Sequence, residues 1–370
     1  MTTNAHHCVL TNVPKLSFGP QSDTFCAALQ ITLQYMGEPE STYDRLIGWS
    51  GRGFRICWSD RLFFWDQHLG KADADPEHYL RTDCDTAAAA VGAAGYEARL
   101  LTATDEQPDV AALRALVRDS IYAGRPVLAA LSLSRQHWAP EWSLITGYDA
   151  DGATVTGWSC FQDEEPWKEE VDLEPDGTFR LSDWETRTVT AVRLCGVHRA
   201  QDEDALGKQA LELGVSYARG RQDGLDAWGV TSYAAWAQAV EAADLTDLDA
   251  HLLKGRMQYH IRYIGHLAAQ RWFTSAFLKQ LHAPVFCVSD VLHAAGWYAR
   301  IHELMWDCWQ VAGGYWRDED GELPKFRDPA TRSQIAAIIR EAGELDARAL
   351  QHLEAALSAW DKNHGDYMAS

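Results

Sequence analysis

The eight cysteines of this 370-residue chain (Cys8, Cys26, Cys57, Cys84, Cys160, Cys195, Cys287 and Cys308) include no C-x-x-C pair. Neither a zinc ribbon nor a disulfide framework is therefore expected, and the thiols read as buried, reduced groups, with one of them a candidate nucleophile. No run of about twenty uninterrupted apolar residues occurs. The N-terminal MTTNAHHC has no basic segment followed by an apolar core, so a cytoplasmic chain with no membrane partner is expected. Basic residues are scarce, 33 Lys and Arg against 53 Asp and Glu, for a net charge of -20. That balance argues against nucleic acid as a partner, which needs clustered cations. No Walker or dinucleotide fingerprint is present, and H-E-L-M-W at His302 lacks the second histidine of a zinc-protease helix. Arg317 to Asp320, before Gly321, reads as an acidic turn rather than a magnesium-diphosphate site. His6, His7 and Cys8 are neighbours that point to alternate sides of an extended chain, which disfavours a shared metal. Neither cofactor nor metal is implied.

What is present is a globular composition, 46% hydrophobic and 23% charged, with length enough for two domains. Gly124-Arg125-Pro126 closes a predicted helix over Pro108 to Ala123. Val127 to Leu133, Trp142 to Tyr148 and Ala153 to Trp158 then read as three adjacent strands, the last two joined at the hairpin signal Asp151-Gly152. Upstream, Cys8 to Val13 reads as a strand. Asp23 or Thr24 can cap a helix whose apolar positions Phe25, Ala28, Leu29, Thr32 and Met36 recur until Gly37. Tyr43 to Ile47 and Asp83 to Gly95 read as helices, and Phe54 to Trp58, Tyr96 to Leu101 and Arg187 to Val197 as strands. Around His198 to Asp204 the pattern turns to helical periodicity, which divides the chain into an α+β domain at 1–200 and a helical domain at 201–370 of about six helices and almost no strand.

The run G-R-P-V-hydrophobics, a loop holding His137, then W-S-L-I-T-G-Y-D, resembles the papain-superfamily peptidases that cleave double-glycine leader peptides. It is more similar still to their repurposed relatives, the group that includes the N-terminal domain of butirosin biosynthesis protein H. S-G-R-G-F-R at Ser50 to Arg55 is a second run shared with such relatives. The resemblance implies a papain-like fold, a nucleophile at the start of the Asp23–Gly37 helix, and a histidine base opening the second central strand. Glu141 stands in the histidine's place, and Ser159 near that of the superfamily's third residue. Cys26 lies where a helix N-terminus favours a thiolate. Matching Leu29, Tyr35 and Gly37 to the family, however, puts the nucleophile position on Thr24, two residues and roughly 200° of helix away. Cys26 as nucleophile and Cys26 as core thiol both stay open.

Arg55, alternating to the same side as Cys57, is either an anchor for a ligand carboxylate or the partner of Asp60 or Asp66. In the helical half His260, Ile264, Leu267, Arg271 and Leu278 share one stripe, and Tyr298, His302, Met305 and Trp309 another. With Trp272, Trp297 and Trp306 near in sequence, this predicts an aromatic-lined pocket between the domains. Two functions follow. One is an acyl or amide transferase or hydrolase acting on a small molecule in a biosynthetic pathway. Its catalytic residues would be Cys26, Glu141 and His137, with Asp23, Thr24, Arg55, Trp142, Arg271 and His302 binding substrate and an acyl-carrier protein as candidate partner. The other is a degenerate relative that binds a ligand or uses only carboxylate chemistry through Glu141 or Asp23. Peptidase activity ranks third.

Overall fold

A computed structural model describes residues 2–4, 6–17, 19, 23–60, 76–102, 109–134, 140–164, 167–242, 245, 248–284, 287–313 and 324–367. The chain is mixed α+β, with a mostly antiparallel sheet in its N-terminal half and a helical C-terminal region. It divides into two compact units: Met1–Leu46 with Pro76–Gln201, and Ile47–Asp75 with Asp202–Ser370. The second unit thus takes in a segment whose short strand was read from sequence as part of the first domain.

In the first unit the strands are β1 (Thr2–Asn4), β2 (His7–Val9), β4 (Glu97–Thr102), β5 (Val127–Leu131), β6 (Glu141–Asp149), β7 (Thr154–Trp158), β8 (Asp172–Leu173), β9 (Phe179–Leu181) and β10 (Thr188–Cys195), while β3 (Cys57–Ser59) belongs to the second. The sheet runs β4-β10-β5-β6-β7-β9-β8, with β2 added beside β6 and β1 beside β2. The three adjacent strands expected at 127–158 are its centre. Ala129 pairs with Ser143, and Tyr148 with Val155, both antiparallel. The β6–β7 connection is tight because Ala150, Asp151 and Gly152 all take positive φ, where Asp and Gly cost least. At Gly157 a Cβ would meet the Leu144 carbonyl oxygen at 1.9 Å, so only glycine lets β7 lie this close to β6 where the register shifts.

Helix α1 (Thr24–Tyr35) lies against β6. Its start is fixed by Asp23, whose side chain accepts from the Cys26 amide at 2.9 Å, and its end by Gly37 at φ +93°. Phe25, Cys26, Ala28, Leu29 and Leu33 form its buried face. Phe25 meets Trp142 edge-on, ring centres 4.8 Å apart, which seats the first turn of α1 on the opening of β6. Three further helices, α2 (Tyr43–Trp49), α3 (Pro76–Ala93) and α4 (Val110–Tyr122), are near their predicted places, α4 capped by Asp109. Phe54 departs from expectation: it closes a 3-10 turn over Arg52–Phe54, and the strand begins only at Cys57.

The second unit is built from α5 (Glu203–Ala218), α6 (Thr231–Ala242), α7 (Ala250–Gln280), α8 (Val288–Ala312) and α9 (Pro329–Tyr367). It also holds a small sheet in which β11 (Arg221–Asp223), β12 (Asp226–Trp228) and β3 lie side by side. That hairpin adds two three-residue strands to a half that is otherwise helical, as expected. Trp58 stacks on Trp236 with centroids 5.5 Å apart, and Tyr263 packs edge-on against both. Among the described residues no helix is long and apolar enough to cross a membrane.

Candidate functional site

Two residues distant in sequence meet at the first turn of α1. Thr24 Oγ1 donates to Glu141 Oε2 at 2.8 Å, and the Trp142 amide donates back to Thr24 Oγ1 at 3.3 Å. Because Thr24 opens α1 and Glu141 opens β6, the contact follows from the packing of that helix on that strand. The hydroxyl accepts from the strand's amide and is left to donate to the carboxylate, so the pair is oriented from the backbone outward. Both side chains are half-buried.

Asp23 sits beside them but is engaged as a cap: its side chain holds the Cys26 amide, and its own amide donates to the Tyr43 hydroxyl at 2.9 Å. The Cys26 amide is thus occupied. Cys26 itself is 0% exposed, turned into the core with Ala28 and Leu29. Its place is that of a small apolar thiol. Thr24, two residues earlier, is the position that faces Glu141. His137 lies outside the described residues.

A second thiol, which sequence reasoning passed over, feels the Glu141 carboxylate. Cys160 follows β7 and is buried; desolvation first, and the Glu141 carboxylate next, push its pKa up to about 12. It is therefore a neutral S–H near a carboxylate, and no thiolate forms there at ordinary pH. Ser159, near the expected third-residue position, accepts from the Phe161 amide at 3.4 Å, and its own amide donates to Gln162 Oε1 at 2.9 Å. Gln162 in turn donates to the Gly177 carbonyl, so this corner is held as a turn. Tyr43 was also missed; an aromatic in a short helix gives no sequence signal that it caps another helix's start.

The remaining predicted residues belong to the second unit. Arg271 is fully buried: it donates to Asp346 Oδ2 at 2.6 Å and to the Gly53 carbonyl at 2.6 Å, and its guanidinium lies over the Tyr298 ring at 5.0 Å. Tyr233 Oη also donates to Asp346. This is a closed internal network, and Arg271 serves it rather than a pocket. His302 is tied to the Ala268 carbonyl at 2.8 Å and accepts from Trp306 Nε1 at 3.0 Å. Its aromatic neighbours Trp272 and Trp306, 52% and 42% exposed, lie on the surface. Arg55 is half-buried with its guanidinium 5.9 Å from the Tyr217 ring centre. Asp60, one of its expected partners, accepts from Trp58 Nε1 at 2.7 Å, and Asp66 lies outside the described residues.

No family model matches this chain, and no curated protein matches its sequence.

Proposed function

We propose that the protein is an acyl or amide transferase or hydrolase for a small molecule, built on a papain-like first unit and working through Glu141 as its acid–base group. The observation that carries this reading is the 2.8 Å hydrogen bond from Thr24 to Glu141, at the two positions that correspond by register to the superfamily's nucleophile and base. A carboxylate there takes a proton from an attacking amine, hydroxyl or water and returns it to the leaving group. The positive end of α1 favours the oxyanion that develops on the acyl carbon. Thr24 keeps the carboxylate aimed, and the full burial of Cys26 speaks against a thioester on that residue. An acyl-carrier protein remains the candidate macromolecular donor.

The test is a set of acyl-N-acetylcysteamine thioesters and p-nitrophenyl esters, each with and without an amine acceptor, offered to the wild type, Glu141→Gln and Cys26→Ala. Glu141→Gln should lose at least about 100-fold in kcat/KM, the lower range for a general base, while Cys26→Ala stays within a few-fold. Loss of turnover in Cys26→Ala with Glu141→Gln still active would return the chemistry to the thiol. No turnover of any probe by the wild type would leave the ligand-binding relative as the better reading.

A further inference from the structure

Away from Glu141, the second unit brings together three metal-ligating side chains that no sequence motif announced. Asp290 and His293 lie one turn apart on α8 and so share a face. His352 comes from α9, which runs against α8. His352 Nδ1 is 2.8 Å from Asp290 Oδ1, and the His293 and His352 ring centres are 4.9 Å apart. One donor atom from each of the three lies within 4.8 Å of the others.

We propose that Asp290, His293 and His352 form a divalent transition-metal site that clips the first turn of α8 to α9. Three ligands on a tetrahedral ion sit about 3.3 Å apart when metal–ligand bonds are about 2.0–2.1 Å. The Asp290–His352 pair is already inside that spacing, and His293, exposed, closes the rest by side-chain rotation. Two imidazoles with one carboxylate select Zn²⁺, Co²⁺, Ni²⁺ or Cu²⁺ over Mg²⁺ and Ca²⁺, which prefer all-oxygen sites. Asp290 and His352 are each 32% exposed, so water can fill the remaining coordination positions. Cys287, though adjacent in sequence to α8, is not a ligand: it is buried and its thiol donates to the Ala356 carbonyl at 3.3 Å. The plainer account, a carboxylate–imidazole hydrogen bond with a second histidine beside it, predicts no metal uptake at all.

The experiment is a Co²⁺ titration of the chelator-stripped full-length protein, followed by visible absorption. One equivalent should give ligand-field bands without a near-ultraviolet thiolate-to-cobalt band, be displaced by Zn²⁺, and be untouched by excess Mg²⁺. His293→Gln and His352→Ala should each weaken binding by at least about tenfold, since losing even an outer-shell partner of a ligand costs that much. His293 is exposed, so its variant folds and decides the matter if His352→Ala does not. The His6→Ala/His7→Ala double variant should keep the signal, because that imidazole pair lies elsewhere, beside Asp149 and Asp151. A thiolate band, equal uptake in both ligand variants, loss in the His6/His7 variant, or no Co²⁺ signal would each overturn the site.

Discussion

Two carboxylates, Glu141 and Asp346, each accept from a neighbouring hydroxyl, yet they sit in opposite surroundings. Asp346 is enclosed with Arg271, Tyr233 and Tyr298, and only its Oδ2 is used; its Oδ1 and Arg271 Nε have no partner among the described residues. Glu141 is half-buried and accepts from Thr24 at the start of α1. The first arrangement is sealed and charge-balanced, which suits a structural tie between helices. The second leaves a carboxylate partly exposed, as the proposed acid–base role needs. Arg271, expected from its apolar stripe to face a pocket, is instead fully buried and paired, because a polar group on such a stripe also pairs across a closed core.

The contrast should appear first as stability. Asp346→Ala leaves the Arg271 charge buried and unpaired, and should destabilise the second unit by about 3–5 kcal/mol. Replacing the pair together, as Arg271→Met with Asp346→Leu, should recover most of that in a denaturant titration. If the single variant is as stable as the wild type, the network is not sealed and the comparison breaks.

A second effect of similar origin comes from His260. It is fully buried, accepts from Trp236 Nε1 at 3.0 Å, stacks on Phe326, and has its pKa lowered by desolvation from 6.5 to about 3. The unfolded chain then binds a proton that the folded one refuses. This contribution is complete above pH 6.5 and is lost as pH falls toward 3, with a slope approaching about 1.4 kcal/mol per pH unit. His260→Asn should flatten that part of the stability profile relative to the wild type; an unchanged slope would assign the acid sensitivity to other groups.

The first unit should respond less. Cys26→Ala removes one sulfur from a closed core and should cost roughly 1–2 kcal/mol, with iodoacetamide reaching Cys26 in the wild type only on unfolding. Rapid labelling of the native protein would return Cys26 to the site. Thr24→Val deletes the hydrogen bond to a half-buried carboxylate and the acceptor of the Trp142 amide, and should cost about 1–2 kcal/mol, with Thr24→Ser close to the wild type. A loss from Thr24→Val as large as that from Asp346→Ala would mean that Glu141, too, is part of the structural core.

Local chemistry made much of this legible beforehand. Asp23 as cap, Gly37 as stop and Asp151-Gly152 as turn each act on their near neighbours in the chain, so α1 and the β6–β7 hairpin could be read from the local sequence. The meeting of Thr24 with Glu141 could be anticipated only through a family's register, since 117 residues separate them. The β11–β12 hairpin was hidden although Asp223-Gly224 is a turn signal, because each strand is three residues long inside helical periodicity. Asp290 and His293 are one helical turn apart in sequence. The site proposed on them depends on His352, which nothing local connects to them.

The second unit is not continuous in the chain, and that has a consequence for how it is made. Ser232 Oγ reaches back to the Ile56 carbonyl across 176 residues, and Trp58 stacks on Trp236. At about 5–20 residues per second, synthesis supplies those partners on the order of ten to thirty seconds after Ile56 and Trp58 emerge. For that interval Trp49, Phe54, Ile56 and Trp58 have no finished core to enter, although residues on both sides of them belong to the first unit. The newborn chain therefore carries these apolar side chains uncovered, within reach of holdase chaperones and of neighbouring ribosomes' products, until its last third arrives.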